Sequence, residues 1–258
     1  MNMQTVVSKD GTEIAYDRSG SGPVIIMMAA GPTDHWALAG IAELLSEDFT
    51  VFNYDRRGRG DSGDSASYAP EREYEDLQAL ITEAGGDARV FGSSGGGILA
   101  LKAAAWGADI GRLAIWEAPF ILEGSRPPVR ADYRQNLEKL LTENRRGDMI
   151  ESFMVDAVGM PVEFVTPMRD APFWPSMERI AHTLIYDATI IGDWSLPAGL
   201  PELTVPTLVL EGGTTPWLTQ SAEALTQALP AARHTVLPGQ THDVEATAIA
   251  PQLAEFFS

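Results

Sequence analysis

A cluster of serine and glycine lies where an apolar, strand-like segment meets a helix-forming one. The segment VFGSSGGGILALKAAA covers residues 90–105, and within it Gly92, Ser94 and Gly96 fit the pattern G-x-S-x-G. This pattern suits a nucleophilic serine, because a sharp turn from strand to helix holds the hydroxyl out of the sheet and leaves no space for side chains two positions away. We therefore predict that Ser94 is a nucleophile. The amide of Gly95, at the start of the helix, is then placed to donate to an oxyanion.

Two alternative assignments fit this segment less well. With Ser93 as the nucleophile, Phe91 would occupy the first glycine position of the pattern. The string GSSGGG is neither G-x-G-x-x-G nor followed by the Lys-Ser/Thr pair of a phosphate-binding loop. From this segment alone, a glycine-rich turn with a purely structural role remains an alternative interpretation.

A serine nucleophile needs a base, and in a sheet of this kind the base follows the last strand. The segment PGQTHDVEATAIA places His242 in a polar loop after the strand-like RHTVL and before the closing helix. We predict that His242 is the general base, the alternative being a solvated loop histidine. His234 falls within a predicted strand, and His35 and His182 have no placed partner, so we expect structural roles for these three. A position facing a ligand pocket stays open for His182.

The patterning of the chain predicts the elements that must bring these residues together. The alternating segments QTVVS and TEIAYDRS flank KDG, which indicates a hairpin, and PVIIMMAA is a continuous apolar run typical of a strand buried on both faces. Helix-spaced and strand-like segments then alternate up to residue 119 and again from 201, ending in the helical PQLAEFFS, where Pro251 suits a first turn. This order predicts an α/β fold: a mostly parallel sheet of about eight strands with an antiparallel start, flanked by helices.

Residues 120–200 interrupt this alternation with helical segments and no buried-strand run, which predicts an all-helical lid inserted after the sixth strand. Residues 1–119 and 201–258 then form the core. The methionines and aromatic residues of the insertion either fill its own small core or form an apolar ceiling over a ligand pocket. For the second interpretation the expected pocket residues are Met154, Trp174, His182 and, from a late helix, Trp217.

Composition excludes several classes of protein. The 258 residues contain no cysteine, so disulfides, thiolate metal sites and a cysteine nucleophile are absent, and the four histidines lack zinc-type spacing. We therefore expect neither a metal nor another cofactor. A net charge of −18 argues against nucleic acid and anionic membranes as partners, and the one dense basic cluster (Arg56, Arg57, Arg59) is expected to be a solvated brace of a loop.

The N-terminal segment lacks the apolar run of a signal peptide, and the longest early apolar run, VIIMMAA, is too short to cross a bilayer. We therefore expect a soluble cytoplasmic protein whose partner is a small-molecule substrate.

Taken together, these pieces resemble the α/β-hydrolase fold family, specifically its members with a lid. The resemblance rests on the segments DGTEIAYDRSGSGP, YDRRGRGDSGD, GSSGG, VPTLVLEGG and PGQTHD, and it spans nearly the whole chain except the insertion. It implies a nucleophile, histidine and acid triad, and a second oxyanion amide in the loop after the third strand.

Two departures from the family pattern concern the site. The usual His-Gly after the third strand reads AAGP here, and we favour Gly31 as the second oxyanion donor, because the other alignment places Pro32, which has no N–H, at that position. The usual aspartate after the seventh strand is replaced by Thr215.

The missing aspartate directs attention to other carboxylates. Glu117, at the end of the strand-like LAIWEAPF, is our candidate acid, since some family members take their acid from that strand end. Glu211 lies within a strand end, and Asp243 is adjacent to the histidine, so both suit the role less well.

The resulting hypothesis is a serine hydrolase that cleaves an ester, lactone or thioester of a small apolar molecule through an acyl-enzyme on Ser94, with His242 as base and Glu117 as orienting acid. One alternative is a repurposed member with a decayed triad that binds apolar molecules without turnover. Another is a C–C bond hydrolase or a perhydrolase-type activity, which would use the same serine and histidine.

Overall fold

The computed structural model describes residues 3–258, and its centre is one eight-stranded sheet in the order β1-β2-β4-β3-β5-β6-β7-β8. Strands β1, β2 and β4 pair antiparallel, and all other neighbouring strands pair parallel. The predicted sheet of about eight strands, mostly parallel with an antiparallel start, is confirmed. The strands are β1 (Gln4–Val7), β2 (Glu13–Gly20), β3 (Val24–Met28), β4 (Thr50–Tyr54), β5 (Ala88–Ser93), β6 (Ile110–Trp116), β7 (Thr207–Gly213) and β8 (Ala232–Gln240).

Helices flank this sheet and fill the segment between β6 and β7. The α-helices are α1 (Ala39–Leu45), α2 (Pro70–Glu83), α3 (Gly95–Trp106), α4 (Tyr133–Thr142), α5 (Arg146–Ser152), α6 (Val162–Val165), α7 (Trp174–Arg179), α8 (Leu184–Ile191), α9 (Pro216–Ala228) and α10 (Ala246–Phe257). A π-helix covers Phe153–Val158, and short 3-10 helices cover His35–Leu38, Thr166–Asp170, Ala181–Thr183 and Leu200–Glu202. Within residues 3–258, no helix is both long and apolar enough to cross a lipid bilayer.

Each face of the sheet carries its own apolar core. Strand β3 shows how one strand serves both, since Ile25 and Met27 join the core under α1 and α10, whereas Ile26 and Met28 join the core shared with α2, α3 and α9. Alternate side chains of a strand point to opposite faces. A strand buried on both faces therefore reads as an uninterrupted apolar run, as residues 24–28 do.

Most of the segment between β6 and β7, from residue 121 to residue 206, is here called the helical insertion. Its buried residues Leu137, Met149 and Trp174 belong to the same apolar cluster as the α2 and α3 face of the sheet. Phe164 and Phe173, by contrast, are exposed. The apolar residues of the insertion therefore divide between a core continuous with the sheet and the surface.

The closing helix differs from the prediction, because Pro251 lies inside α10 and not in its first turn. The helix begins at Ala246. Ala246 and Ile249 pack on the α1 side of the sheet, so the apolar face of α10 starts before Pro251. Pro251 is exposed, so its ring faces away from the core and the helix continues past it.

The basic cluster after β4 is buried and not solvated. Arg57 is fully buried, and its guanidinium donates to both carboxylate oxygens of Asp76 at 2.6 and 2.7 Å and to Asp10 at 3.0 Å. Hydrogen bonds from Arg57 hold the pKa of Asp10 well below its usual value. The expected role as a brace agrees with these contacts, but the brace works by buried ion pairs.

Candidate active site

The chain turns from strand to helix at Ser94. Strand β5 ends at Ser93, α3 begins at Gly95, and the residue between them has φ 55°, in the left-handed region that residues with a Cβ rarely adopt. The Ser94 amide donates to the carbonyl oxygen of Trp116 at 2.7 Å. Backbone strain of this kind persists only where the surrounding structure enforces it, and it concentrates at functional sites.

Three glycines around Ser94 have no space for a side chain. A Cβ on Gly92 would lie 2.6 Å from the carbonyl oxygen of Gly96, and a Cβ on Gly97 would lie 2.7 Å from the Ile115 side chain. A Cβ on Gly96 would collide with the carbonyl oxygen of Met28. Close backbone packing therefore explains the glycines of this turn.

We expect Gly92→Ala to lower the free energy of unfolding by about 3 kcal/mol, because the new methyl group overlaps backbone atoms that cannot move independently. Urea denaturation measures the change. Gly40→Ala is the matched control: a Cβ there meets only the Ala246 methyl at 3.5 Å, so this variant should be as stable as the wild type or slightly more stable. A Gly92→Ala protein of wild-type stability would contradict the steric origin of this glycine.

Glu117 lies beside Ser94 at the carboxyl end of the neighbouring strand. The pairing of β5 with β6 sets Ser93 opposite Trp116, so the residues that directly follow the two strands are Ser94 and Glu117. Glu117 is 1 % exposed and also has a positive φ, 43°. Its Oε1 accepts a hydrogen bond from the Gly212 amide at 3.0 Å, which fixes the direction of the carboxylate.

His242 meets Glu117 from the loop after β8. The distance from His242 Nδ1 to Glu117 Oε2 is 2.7 Å, and the His242 side chain is 44 % exposed. The indole of Trp116 donates to the His242 carbonyl oxygen at 3.0 Å, so Trp116 contacts the backbone of both Ser94 and His242. With Nδ1 occupied by the carboxylate, Nε2 is the ring atom free to exchange a proton with another group.

The other carboxylates considered near the histidine have different partners. Glu211, at the end of β7, accepts from the Gly213 amide and from the Thr219 hydroxyl, and its second oxygen lies 3.7 Å from His234 Nε2. Asp243 is exposed on the loop. Among these three carboxylates, Glu117 is the one in hydrogen-bond contact with His242.

The two predicted oxyanion glycines lie against the same residue. Gly95 packs on Ala30, with 3.4 Å between a Cβ built on Gly95 and the Ala30 methyl, and Gly31 follows Ala30 in the chain. In the hydrogen bonds of residues 3–258, neither the Gly31 amide nor the Gly95 amide has an acceptor. Both N–H groups therefore have no hydrogen-bond partner among the described residues, as the predicted role requires.

The four predicted pocket residues have other contacts. Trp174 is buried and donates to Glu178 at 3.1 Å, and Trp217 lies under the guanidinium of Arg126. His182 contacts the Asp64 carboxylate at 3.2 Å, and Met154 packs half-buried against the large core. A pocket role for these residues stays a prediction.

Phe153 and Ile191 of the insertion lie against the two glycines that are predicted to bind the oxyanion, although the sequence pattern does not assign them to the site. The Phe153 ring is 3.3 Å from a Cβ built on Gly31, and Ile191 Cδ1 is 3.7 Å from one built on Gly95. Phe153 begins the π-helix, a rare element that is frequent at functional sites. Nothing in the local pattern distinguishes these two from other apolar residues of the insertion.

One cluster in residues 3–258 has the spacing of metal ligands, namely Asp34, His35 and Asp55. Its ligand atoms are already hydrogen-bonded. The ring and the amide of His35 both contact Asp55 Oδ1 at 2.8 Å, and Asp55 Oδ2 accepts from the Asp61 amide at 2.9 Å. These bonds indicate that the cluster braces the loop after β3.

Known proteins match this chain in both sequence and structure. A model of the "Alpha/beta hydrolase family" matches residues 25–252. An alpha/beta hydrolase from Sphaerobacter thermophilus has a solved structure similar to this one, with a TM-score of 0.94 and 50 % identity over 99 % of this chain and 100 % of that chain. The esterase RhEst1 from Rhodococcus sp. ECU1013 shares the fold, with a TM-score of 0.70 and 18 % identity over 100 % of this chain and 98 % of that chain.

Two curated proteins are similar in sequence. A non-heme haloperoxidase from Rhodococcus erythropolis is 26 % identical over 271 residues, covering 93 % of each chain. The uncharacterized hydrolase YraK from Bacillus subtilis is 28 % identical over 148 residues, covering 55 % of this chain, and the match spans about half of its length, 53 %.

Proposed function

This chain belongs to the alpha/beta hydrolase family, and we propose that it is a serine hydrolase that cleaves an ester, lactone or thioester of a small apolar molecule. The observation that carries the proposal is the 2.7 Å contact between Glu117 Oε2 and His242 Nδ1. The pairing of Ser93 with Trp116 also sets the next two residues, Ser94 and Glu117, beside each other. A buried carboxylate on one ring nitrogen leaves the other as the proton acceptor that a serine nucleophile requires.

In the proposed reaction, Ser94 Oγ attacks the carbonyl carbon of the substrate while His242 Nε2 takes the hydroxyl proton. The carbonyl electron pair moves onto the oxygen, which accepts hydrogen bonds from the amides of Gly31 and Gly95. Collapse of the tetrahedral intermediate expels the alcohol, which receives the proton from His242. Water then attacks the acyl-enzyme by the same route and releases the acid. Glu117 holds the ring tautomer and stabilises the imidazolium in both halves.

The groups nearest to the oxyanion glycines support an apolar substrate. Ala30, Phe153 and Ile191 approach Gly31 and Gly95, and none of these three side chains carries a hydrogen-bonding group. A charged substituent next to the scissile carbonyl would lose its hydration there without gaining a partner. The proposed substrate therefore has a small, uncharged acyl group.

A pair of matched esters tests this substrate class. We expect kcat/KM for p-nitrophenyl butyrate to exceed that for p-nitrophenyl hemisuccinate, which carries a terminal carboxylate on a similar chain, by more than about tenfold, since about 1.4 kcal/mol of uncompensated desolvation gives that factor. Release of p-nitrophenol measures both rates. Preference for the hemisuccinate would contradict an apolar site, and absence of turnover with both esters and with simple lactones and thioesters would contradict the proposed function.

A second candidate is perhydrolysis, in which hydrogen peroxide replaces water as the acceptor of the acyl group. The likeness to a non-heme haloperoxidase over 93 % of the chain favours including it. The first half of the reaction would be the same, and the product would be a peracid. Peracid formation from an acetate ester and hydrogen peroxide, followed by bromide oxidation, distinguishes this activity from hydrolysis alone.

The contact between Glu117 and His242 also favours catalysis over the alternative of a repurposed binding protein, which the missing aspartate at Thr215 had suggested. A C–C bond hydrolase would use the same serine and histidine. Turnover of the ester panel, compared with turnover of a β-diketone, separates these two activities.

A further inference from the structure

The loop that carries the predicted oxyanion donor is held by side chains at each of its carbonyl groups. We call residues 29–31 the oxyanion loop. The Ala30 carbonyl accepts the Thr33 hydroxyl at 2.7 Å, and the Gly31 carbonyl accepts the Thr33 amide at 2.9 Å and a guanidinium N–H of Arg59. The Ala29 carbonyl lies 3.5 Å from Arg56 Nη1.

These contacts fix the direction of the Gly31 amide. In a trans peptide the N–H points opposite to the carbonyl of the preceding residue, so the bond from Thr33 to the Ala30 carbonyl sets where the Gly31 N–H points. Gly31 has φ 65°, and a glycine rotates more freely than other residues. Holding the peptide on each side of Gly31 therefore keeps its N–H aimed at one place.

The arginine on the Gly31 carbonyl depends on a carboxylate of the helical insertion. Arg59 Nη2 lies 2.9 Å from each carboxylate oxygen of Asp187, which belongs to α8, and Arg56 Nη1 donates to Asp187 Oδ1 at 2.7 Å. The Arg59 side chain is 1 % exposed, and its Nε has no acceptor within residues 3–258. Arg59 is therefore oriented by two partners, the Gly31 carbonyl and Asp187.

The charges of these buried groups make the position of Arg59 depend strongly on Asp187. Arg56 also binds both oxygens of Glu73, at 2.7 and 2.8 Å, so that two buried arginines face two buried carboxylates. Removing one carboxylate leaves a buried arginine without its counterion, which must then find other partners or take up water. Arg59 would shift, and the Gly31 carbonyl would lose one of the two groups that hold it and keep only the Thr33 amide.

We propose that Asp187 is a positioning residue for the oxyanion hole, acting through Arg59 on the Gly31 peptide, an inference that rests on the proposed function. The helical insertion is then part of the catalytic apparatus and not only a cover. A carboxylate of α8 would make transition-state stabilisation depend on the docking of the insertion against the loop after β3.

The test compares Asp187→Asn with Asp76→Asn. Asp76 is also buried and paired with an arginine, Arg57, whose hydrogen bonds within residues 3–258 go to Asp10, Ser65, Arg72 and Asp76 and not to the oxyanion loop. Both variants should be less stable than the wild type.

We expect kcat for p-nitrophenyl butyrate to fall about 10- to 100-fold in Asp187→Asn with KM nearly unchanged, because a misdirected oxyanion donor costs part of the roughly 10²- to 10³-fold that one donor supplies. Folded Asp76→Asn should keep kcat within about threefold.

Binding of an alkyl boronic acid supplies a readout that a merely structural role would not move. Its adduct with Ser94 places an oxygen in the oxyanion hole, so its inhibition constant should rise in Asp187→Asn by the factor lost in kcat/KM, while the inhibition constant of butyrate, the acid product, stays nearly constant. Equal changes for boronate and butyrate, or equal losses of kcat in both variants, would overturn the proposal.

If Asp187→Asn does not fold, the double variant Arg59→Leu/Asp187→Leu removes one arginine and one carboxylate together, a replacement that proteins often tolerate, and leaves Arg56 paired with Glu73. It should show the same loss of kcat, and an unchanged kcat would overturn the proposal. Wild-type protein without activity on any ester would contradict the proposed function and this inference together. An active wild type with an equally active, folded Asp187→Asn would contradict this inference alone.

Discussion

Replacing Ser94 by alanine should lower kcat for p-nitrophenyl butyrate by about 10⁵- to 10⁶-fold, the effect of removing a nucleophile that acts as a unit with its base. The substitution removes one oxygen atom and keeps a Cβ, so the strained φ of 55° and the fold should be unchanged. Initial rates at saturating ester measure kcat, and urea denaturation should show wild-type stability.

Ser93→Ala is the control for this prediction. Ser93 is the last residue of β5 and, like Ser94, is half-buried, so the two variants differ in which hydroxyl of the turn is lost. We expect Ser93→Ala to keep kcat within about threefold of the wild type. More than about one per cent of wild-type kcat in Ser94→Ala, or a larger loss in Ser93→Ala, would assign the chemistry to another group.

Replacing Glu117 by glutamine should lower kcat by about 10⁴-fold, as expected when an amide replaces the acid of a serine hydrolase triad. A glutamine that turns its NH₂ toward His242 Nδ1 would favour the tautomer with the proton on Nε2, which cannot accept a proton from Ser94. Steady-state rates of the variant and the wild type at the same pH measure this loss.

Glu211→Gln tests whether the loss reflects catalysis or the removal of any buried carboxylate. Both glutamates are 1 % exposed at the ends of adjacent strands, and both accept a backbone amide from the last two residues of β7, Gly212 for Glu117 and Gly213 for Glu211. Glu211→Gln should keep kcat within about fivefold. A loss of kcat in Glu211→Gln as large as in Glu117→Gln would argue that the Glu117 effect is structural.

The turn at Ser94 was predictable because its requirement is local. A strand-to-helix turn this tight excludes side chains at 92 and 96, so the requirement is visible in the sequence as glycine. The carboxylate is harder to predict, because Glu117 is adjacent to Ser94 only through the pairing of β5 with β6. The sequence indicates that Glu117 belongs to the strand-like segment LAIWEAPF, but the order of strands is a property of the folded sheet.

Contacts between distant segments account for the features that the sequence does not predict. The sequence of the arginines after β4 is typical of a solvated turn. The ion pairs that bury Arg56 and Arg59 involve Asp187, which lies 128 residues beyond Arg59 in the chain. Phe153 and Ile191 lie close to Gly31 and Gly95 because the insertion folds back on the sheet. Residue type and periodicity predict that such residues are buried, but they do not predict the surface against which they pack.

The most direct test of Ser94 as the nucleophile is to locate the covalent adduct that a fluorophosphonate forms with the wild-type protein. Trypsin cleavage after Arg89 and Lys102 releases residues 90–102, which contain both Ser93 and Ser94, and fragment-ion mass spectrometry distinguishes the two. We expect the adduct on Ser94, with labelling slowed strongly in His242→Ala because the base is lost. An adduct on Ser93 or on a residue outside this peptide, or an unlabelled wild-type protein, would contradict the assignment of Ser94 as the nucleophile.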